Sequence, residues 1–327
     1  MNATSIKEIS ASVASELEQF DVYLREQMRS RAALLDTVIR YILRQRGKRV
    51  RPALVFLAAG ACGGISDRAY VGAAMVELLH TATLVHDDVV DQADERRGMA
   101  SINAVWKNKV AVLVGDFLLS KGLLIAVHHG EYDYLRVTSE AVRRMSEGEL
   151  LQIQKSRQKT LDEETYFKII SDKTASLIST CCEIGAIASS TDPAVRNALA
   201  QFGELVGLAF QIRDDVLDYT SRSSILGKPV GNDIREGKIT LPLLYAAKSA
   251  PRAETKDAIK IVKSKRGNRK DIEAVQKFVL TYDGTKLAQE KAMELQQQAI
   301  ASLVIVPDSV YKTALIDFAN FVVTRTS

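Results

Sequence analysis

Residues 202–219 read FGELVGLAFQIRDDVLDY. Phe202, Leu205, Val206, Ala209, Ile212 and Val216 recur in steps of three and four, the stripe of a helix with one face in a core. The stripe runs into three carboxylates, Asp214, Asp215 and Asp218. At about 100° per residue, positions i and i+4 lie one turn apart on the same helical face. Asp214 and Asp218 are therefore expected to reach one point together. The same grammar recurs upstream, where LLHTATLV leads into HDDVVD and Asp87, Asp88 and Asp91. There Asp87 and Asp91 share a face, and Asp88 points off it. A single such cluster could be an acidic, solvated turn of a surface helix. Two copies, each ending an apolar run, argue against that reading.

Working outward, the rest of the chain is also helical in character. Only six prolines occur, and none stands between Pro52 and Pro193. An interval of that length punctuated by single glycines reads as consecutive helices joined by short turns. No convincing alternating strand pair and no Asn-Gly hairpin signal is found. Thr191-Asp192-Pro193 has the residues of a helix cap followed by proline in the first turn. No linker rich in Gly, Ser or Pro divides the chain, so one helical domain over 1–327 is expected. The basic run at 263–270, KSKRGNRK, is read as a solvated loop between helices.

Bulk composition bounds the function. Hydrophobic residues are 46% and charged residues 26%, as in a well-packed protein. Lys and Arg number 44 against 40 Asp and Glu, a net charge of +4. That excess is too small for a nucleic-acid binder, so any anionic ligand must be met by local clusters. The opening MNATSIKEIS has no signal pattern, and the apolar stretch Val110 to Leu119 is short and carries Asp116, so no membrane span is expected. Cys62, Cys181 and Cys182 show no metal spacing, and reduced thiols in a cytoplasmic protein are the better reading.

Carboxylates facing a partly buried space repel one another and resist ionisation unless cations compensate them. Oxygen-only clusters suit hard cations, and magnesium in particular takes one or two carboxylates plus waters and phosphate oxygens. Basic residues flank both clusters. Gly47-Lys48-Arg49-Val50-Arg51-Pro52 and Arg96-Arg97-Gly98 accompany the first; Gly227-Lys228 and Glu236-Gly237-Lys238 follow the second. Arginine binds phosphate bidentately and lysine acts as a mobile point charge. The pattern suggests two anionic ligand ends, one held through metal and one held directly.

Together these residues resemble the trans-polyprenyl diphosphate synthase family, which includes farnesyl, geranylgeranyl and octaprenyl diphosphate synthases. The resemblance runs from GKRVRP through ELLHTATLVHDDVVDQADERRG, VLVGDFLL, SDKTASL and FQIRDDVLDY to LGKPVGNDIREGKITLPLL. It implies an all-α fold, a single bundle of long antiparallel helices around a deep central cavity, generally as a homodimer. It implies a magnesium-dependent prenyltransferase that adds isopentenyl diphosphate to an allylic diphosphate such as farnesyl diphosphate, with three magnesium ions. Asp87, Asp91 and Asp214 resemble the metal ligands, with Asp88 in support, and Asp215 and Asp218 orienting Asp214 or its waters. Arg96, Lys173 and Lys228 resemble the allylic diphosphate contacts and complete, with the aspartates, the catalytic set; Lys238 resembles a second lysine nearby. Gly47, Lys48, Arg51, His80 and Arg97 resemble the isopentenyl diphosphate site. Thr174 and Gln211 match positions near the reacting centre, Gln152 one near the metals, and Asp233 a supporting one.

A histidine in an apolar helix is commonly a satisfied core residue, but the place of His80 seven residues before Asp87 favours the phosphate role. His86 is read as packing or support, and Asp116 as a helix-packing hydrogen bond. Ala82 and Thr83, five and four residues before Asp87, lie about one turn below the cluster. In relatives that stop at short products a bulky aromatic commonly stands there. Two small residues imply a longer product, octaprenyl or a close neighbour, for instance for a quinone side chain, rather than a farnesyl or geranylgeranyl one. A class I terpene cyclase would need no second basic site and usually carries a different second metal motif. A non-catalytic synthase subunit typically lacks one or both clusters. The lipophilic product would allow transient membrane contact.

Overall fold

A computed structural model describes residues 5–45, 47–158, 162–220, 231–264 and 268–326. The helices in order are α1 (Ile6–Ile9), α2 (Ala14–Met28), α3 (Ala33–Arg44), α4 (Val50–Ala61), α5 (Asp67–Val90), α6 (Ile102–His128), α7 (Tyr132–Gln158) and α8 (Glu163–Ile170). Then follow a π-helical turn at Ser171–Ala175, α9 (Ser176–Ser189), α10 (Pro193–Thr220), α11 (Asn232–Glu236), α12 (Leu241–Ser249), α13 (Arg252–Lys263), α14 (Arg269–Thr281), α15 (Gly284–Ser302) and α16 (Val310–Thr324). The expected all-α class holds. Pro193 opens α10, and the Asp192 carboxylate accepts from the Ala194 N–H at 2.8 Å, as the cap residues predict.

Helix α9 is the innermost element, packed against α4, α5, α7 and α10. Its sequence SLISTCCEIGAIAS is small and apolar, so neighbouring backbones come close. A Cβ on Gly185 would stand 2.3 Å from the Val55 carbonyl oxygen, and one on Gly203 of α10 would stand 2.6 Å from Ser179 Cα. Cys181 and Cys182 are buried there as free thiols. In α10, Phe202, Val206, Ala209, Ile212 and Val216 of the stripe are buried, and Leu205 is half-buried. A second, smaller apolar cluster joins Tyr219 of α10 to α12, α13 and α14.

Two expectations need correction. One β-hairpin exists among the described residues: Glu95–Arg96 (β1) pairs antiparallel with Met99–Ala100 (β2). Arg97 and Gly98 take φ of 53° and 74°, the twin positive values of the tight hairpin turn whose twist matches its strands. Such a two-residue strand leaves no alternation to detect. Likewise α6 is far longer than the apolar stretch that marks it. By length and composition it could cross a membrane. It packs along α5, with Gly115 against the His86 ring and Gly122 against Met75 and Leu78. Val112, Leu113, Leu123, Leu124 and Val127 stay exposed on it.

The closeness of α9 to α4 has a measurable consequence. Gly185→Val forces two methyl groups against the α4 backbone and should cost about 1–3 kcal/mol of stability. Chemical denaturation with an unchanged midpoint would contradict this packing.

Candidate active site

The C-terminal turns of α5 present the first acid cluster. Asp87 is exposed at the end of the helix, whereas Asp88 turns inward and is only 3% exposed. Arg96 meets it there, donating from Nε at 2.8 Å and also from Nη2 to the same Oδ1. The hairpin thus delivers Arg96 to Asp88, and its turn carries Arg97 to the loop before α4. Arg97 Nη1 donates to the Gln45 carbonyl at 2.8 Å, and a Cβ on Gly47 would meet its guanidinium at 2.9 Å. Gly47 is the residue that leaves room for this side chain.

A cleft of about 100 Å³ lies here, lined by Gly47, Arg49, Glu77, Asp88, Arg96 and Arg97 among others. Arg96, expected with the allylic set, lines the same cleft as Gly47 and Arg97. Lys48, Arg51 and His80 are not on this lining. His80 is buried, and its imidazole is pushed down to about 2 by burial and by Arg51, Arg97 and Arg96 nearby. Its neutral form is therefore favoured at physiological pH. Among the described residues the buried Arg51 Nε has no hydrogen-bond partner.

A larger cleft, about 220 Å³, is lined by Gln152, Tyr166, Lys173, Thr174, Gln211, Asp215, Asp233 and Lys238 among others. It gathers most of the remaining candidates. Thr174 Oγ1 donates to Gln211 Oε1 at 2.9 Å, and Gln211 Nε2 donates to Asp215 Oδ1 at 2.9 Å. The Tyr166 hydroxyl donates to Asp215 Oδ2 at 2.6 Å. Burial, with Asp233 adding repulsion, holds the Asp215 carboxyl well above its ordinary range. Lys173 forms an ion pair with Glu149. Although Asp87 is exposed, partial desolvation of its carboxyl by the surrounding walls raises it as well, and of its charged neighbours Lys173 pulls it down while Asp91 and Glu149 push it up. Lys173 and the first acid cluster therefore feel each other across the opening.

The carboxylates of the second cluster have different partners. Asp214 pairs with Arg325 near the chain's end, whose guanidinium lies 4.1 Å from the Phe210 ring centroid. Asp218 instead accepts the Asn232 and Asp233 backbone N–H groups, each at 3.1 Å, capping α11. The expectation that Asp214 and Asp218 reach one point is thus not met. Each is drawn to a different tertiary partner. Lys228 lies outside the described residues. Ala82 is buried, Thr83 Oγ1 donates to the His80 carbonyl at 2.9 Å, and neither lines these two clefts. His86 packs on α6, with Asp116 Oδ1 3.4 Å from its Nε2. Tyr166, Glu149 and Arg325 were not singled out from sequence; a tyrosine in TYFKII looks like any core aromatic, and the other two pair across long separations.

Among the described residues no three His, Cys, Asp or Glu side chains are gathered to hold a metal ion alone. The donors on offer are carboxylate oxygens whose mutual repulsion a cation would relieve. That fits magnesium, which is commonly bound by one or two carboxylates with substrate phosphates completing the shell.

Residues 32–279 match the polyprenyl synthetase family. The chain belongs to that family. It is a prenyltransferase. It is 38% identical over 320 residues to the geranyl-diphosphate-specific all-trans-nonaprenyl-diphosphate synthase of Rhodobacter capsulatus, covering 98% of each chain. It is 36% identical to the octaprenyl diphosphate synthase of Escherichia coli, covering 99% of each. The crystal structure of a polyprenyl synthase from Caulobacter crescentus, complexed with calcium and isoprenyl diphosphate, superposes with a TM-score of 0.89 at 33% identity over 100% of both chains.

One carboxyl of this synthase gives a pH signature. Burial, then repulsion from Asp218, pushes Asp233 up to about 7. Its protonated form is favoured in the fold, so that stabilisation is full below the ordinary carboxylate pKa of about 4 and is lost as pH rises through about 7. In metal-free buffer, Asp233→Asn should lose less stability than the parent over that interval. Equal losses in urea titrations at the two ends would contradict it.

Proposed function

We propose that this chain is a magnesium-dependent trans-polyprenyl diphosphate synthase that extends an allylic diphosphate such as farnesyl diphosphate with isopentenyl diphosphate to a long product, octaprenyl or a near neighbour. The observation that carries this reading is the pairing of two cationic clefts with two acid clusters. Lys173 and Lys238 line the larger cleft, and Gly47 and Arg97 the smaller one beside Asp88. The calcium and isoprenyl diphosphate of the Caulobacter relative support it. The octaprenyl and nonaprenyl relatives, with Ala82 and Thr83 small, support the long product.

Asp87, Asp91 and Asp214 would hold magnesium, three ions in all. When bound, the metal neutralises charge growing on the leaving diphosphate. Lys173, Lys238 and Lys228 add direct contacts to that group, and Thr174 and Gln211 stand beside the reacting carbon. Asp88 acts as the fixed partner of Arg96, and Arg96 lines the smaller cleft. Gly47, Lys48, Arg51 and Arg97 hold isopentenyl diphosphate, with neutral His80 as a hydrogen-bonding neighbour. Holding both substrates together makes the bond-forming step effectively unimolecular. The allylic C–O bond breaks, the isopentenyl double bond attacks the resulting cation, and the departed diphosphate takes the proton that restores an allylic end. Apolar walls keep water from intercepting that cation.

The chain is taken as one domain, because α10 and α12 contribute to both apolar clusters. The exposed apolar residues of α6, with Tyr132 and Leu150 also exposed on α7, favour a homodimer over a lone protomer.

Incubation with magnesium, farnesyl diphosphate and isopentenyl diphosphate, followed by product sizing, should yield a polyprenyl diphosphate of about octaprenyl length. No elongation would overturn the proposal. Asp87→Asn should lower kcat by about 10²–10³-fold with the helical signal intact; activity like the parent's would defeat the metal assignment. Ala82→Phe should shorten the main product to farnesyl or geranylgeranyl size, and an unchanged spectrum would show that this position does not face the tail.

A further inference from the structure

Lys173 and Thr174 sit on an irregular piece of helix. Ser171–Ala175 forms a π-turn between α8 and α9. Such turns are rare, are frequent at functional sites, and mark where surroundings hold the backbone off its ordinary path. The opposite side of this turn carries Ser171 and Asp172, and Asp172 is 1% exposed. Neither lines the larger cleft, whereas Lys173 and Thr174 both do.

What holds the turn is a four-residue ionic network behind the cleft. Arg144 of α7 donates from Nε to Asp172 Oδ1 at 3.0 Å and from Nη2 to Ser171 Oγ at 2.7 Å. It also grips Glu204 of α10 through both terminal nitrogens, Nη1 to Oε2 at 3.1 Å and Nη2 to Oε1 at 2.8 Å. The Ser171 hydroxyl donates to Glu204 Oε1 at 2.6 Å. Lys168 of α8 lies 2.8 Å from Asp172 Oδ2, so two cations balance two carboxylates. The Ser176 hydroxyl donates to the Asp172 carbonyl at 2.6 Å.

Packing closes the same vise. One turn beyond Arg144, a Cβ on Gly148 would stand 2.8 Å from Asp172 Cβ and 3.2 Å from the Lys173 nitrogen. Three residues beyond Glu204, a Cβ on Gly207 would stand 2.5 Å from Ala175 Cα. Each flanking helix therefore offers one charged side chain and one glycine to the turn.

We infer that Arg144 is a positioning residue: clamping Asp172 and Glu204, it fixes the π-turn and so aims Lys173 and Thr174 into the substrate cleft. This rests on the reading of Lys173 as a diphosphate contact. A bidentate guanidinium with defined geometry suits the task, and lysine supplies the charge without the fork.

A double-mutant cycle on the full-length protein tests it, with inorganic diphosphate and magnesium as the binding probe and thermal unfolding as a fold control. Lys173→Met and Arg144→Met should each weaken diphosphate binding, Arg144→Met by about tenfold, the order seen when an outer partner of a ligand group is removed. Arg144→Met should add little in the Lys173→Met background, because the lysine it aims is gone. It should also raise KM for the allylic substrate and lower kcat while KM for isopentenyl diphosphate stays put. Arg144→Lys should recover part of the loss. Should Arg144→Met fail to fold, Glu204→Gln, which keeps the shape of the network and drops one charge, takes its place in the cycle. Additive effects, or equal changes in both KM values, would mean a merely structural network and overturn the proposal. Unaltered binding in Lys173→Met alone would remove the reading of Lys173, and this proposal with it.

Discussion

Carboxylates concentrated beside an apolar wall repel one another, and every feature of the site answers that repulsion. Helices α5 and α10 each end an apolar run in three aspartates. The protein compensates some of them internally. Asp88 has Arg96, Asp214 has Arg325, Asp215 has Tyr166 and Gln211, and Asp218 has the first N–H groups of α11. Among the described residues Asp87 has the attraction of Lys173 and Arg96, and Lys173 is already paired with Glu149. Asp87 stands exposed at the end of α5, where a diphosphate arriving with its cations would meet it.

The fold serves this arrangement by holding helices unusually close. Gly185, Gly203 and Gly207 bring α9 and the π-turn against α4 and α10 with no side chain between. Close backbone contact leaves little freedom for rotation or sliding. Positions on α10 and on the π-turn are thereby fixed relative to each other. Cleft residues such as Thr174 and Gln211 meet at hydrogen-bond distance without being near in sequence.

What was legible in the sequence was what depends on one helix at a time. The buried stripe of α10, its Asp192-Pro193 start and the placing of Asp88 off the face of Asp87 all follow from 3.6-residue geometry. The family resemblance, carried by the order of motifs, reached the all-α class. Features set by contact between distant segments were not legible. Asp214 and Asp218 share a helical face, yet Arg325 and α11 draw them apart. Arg96 sits at Asp88 because of a two-residue strand pair too short to alternate. The π-turn leaves no trace in SDKTASL, since Arg144 and Glu204, from other helices, hold it in place.

Calorimetric titration with magnesium and inorganic diphosphate, separately and together, addresses the central claim most directly. If facing acid clusters need cations and the cations need phosphate oxygens, magnesium alone binds weakly. Diphosphate alone also binds weakly, and the two together bind cooperatively. Diphosphate binding of equal strength in the presence of a chelator would contradict the account.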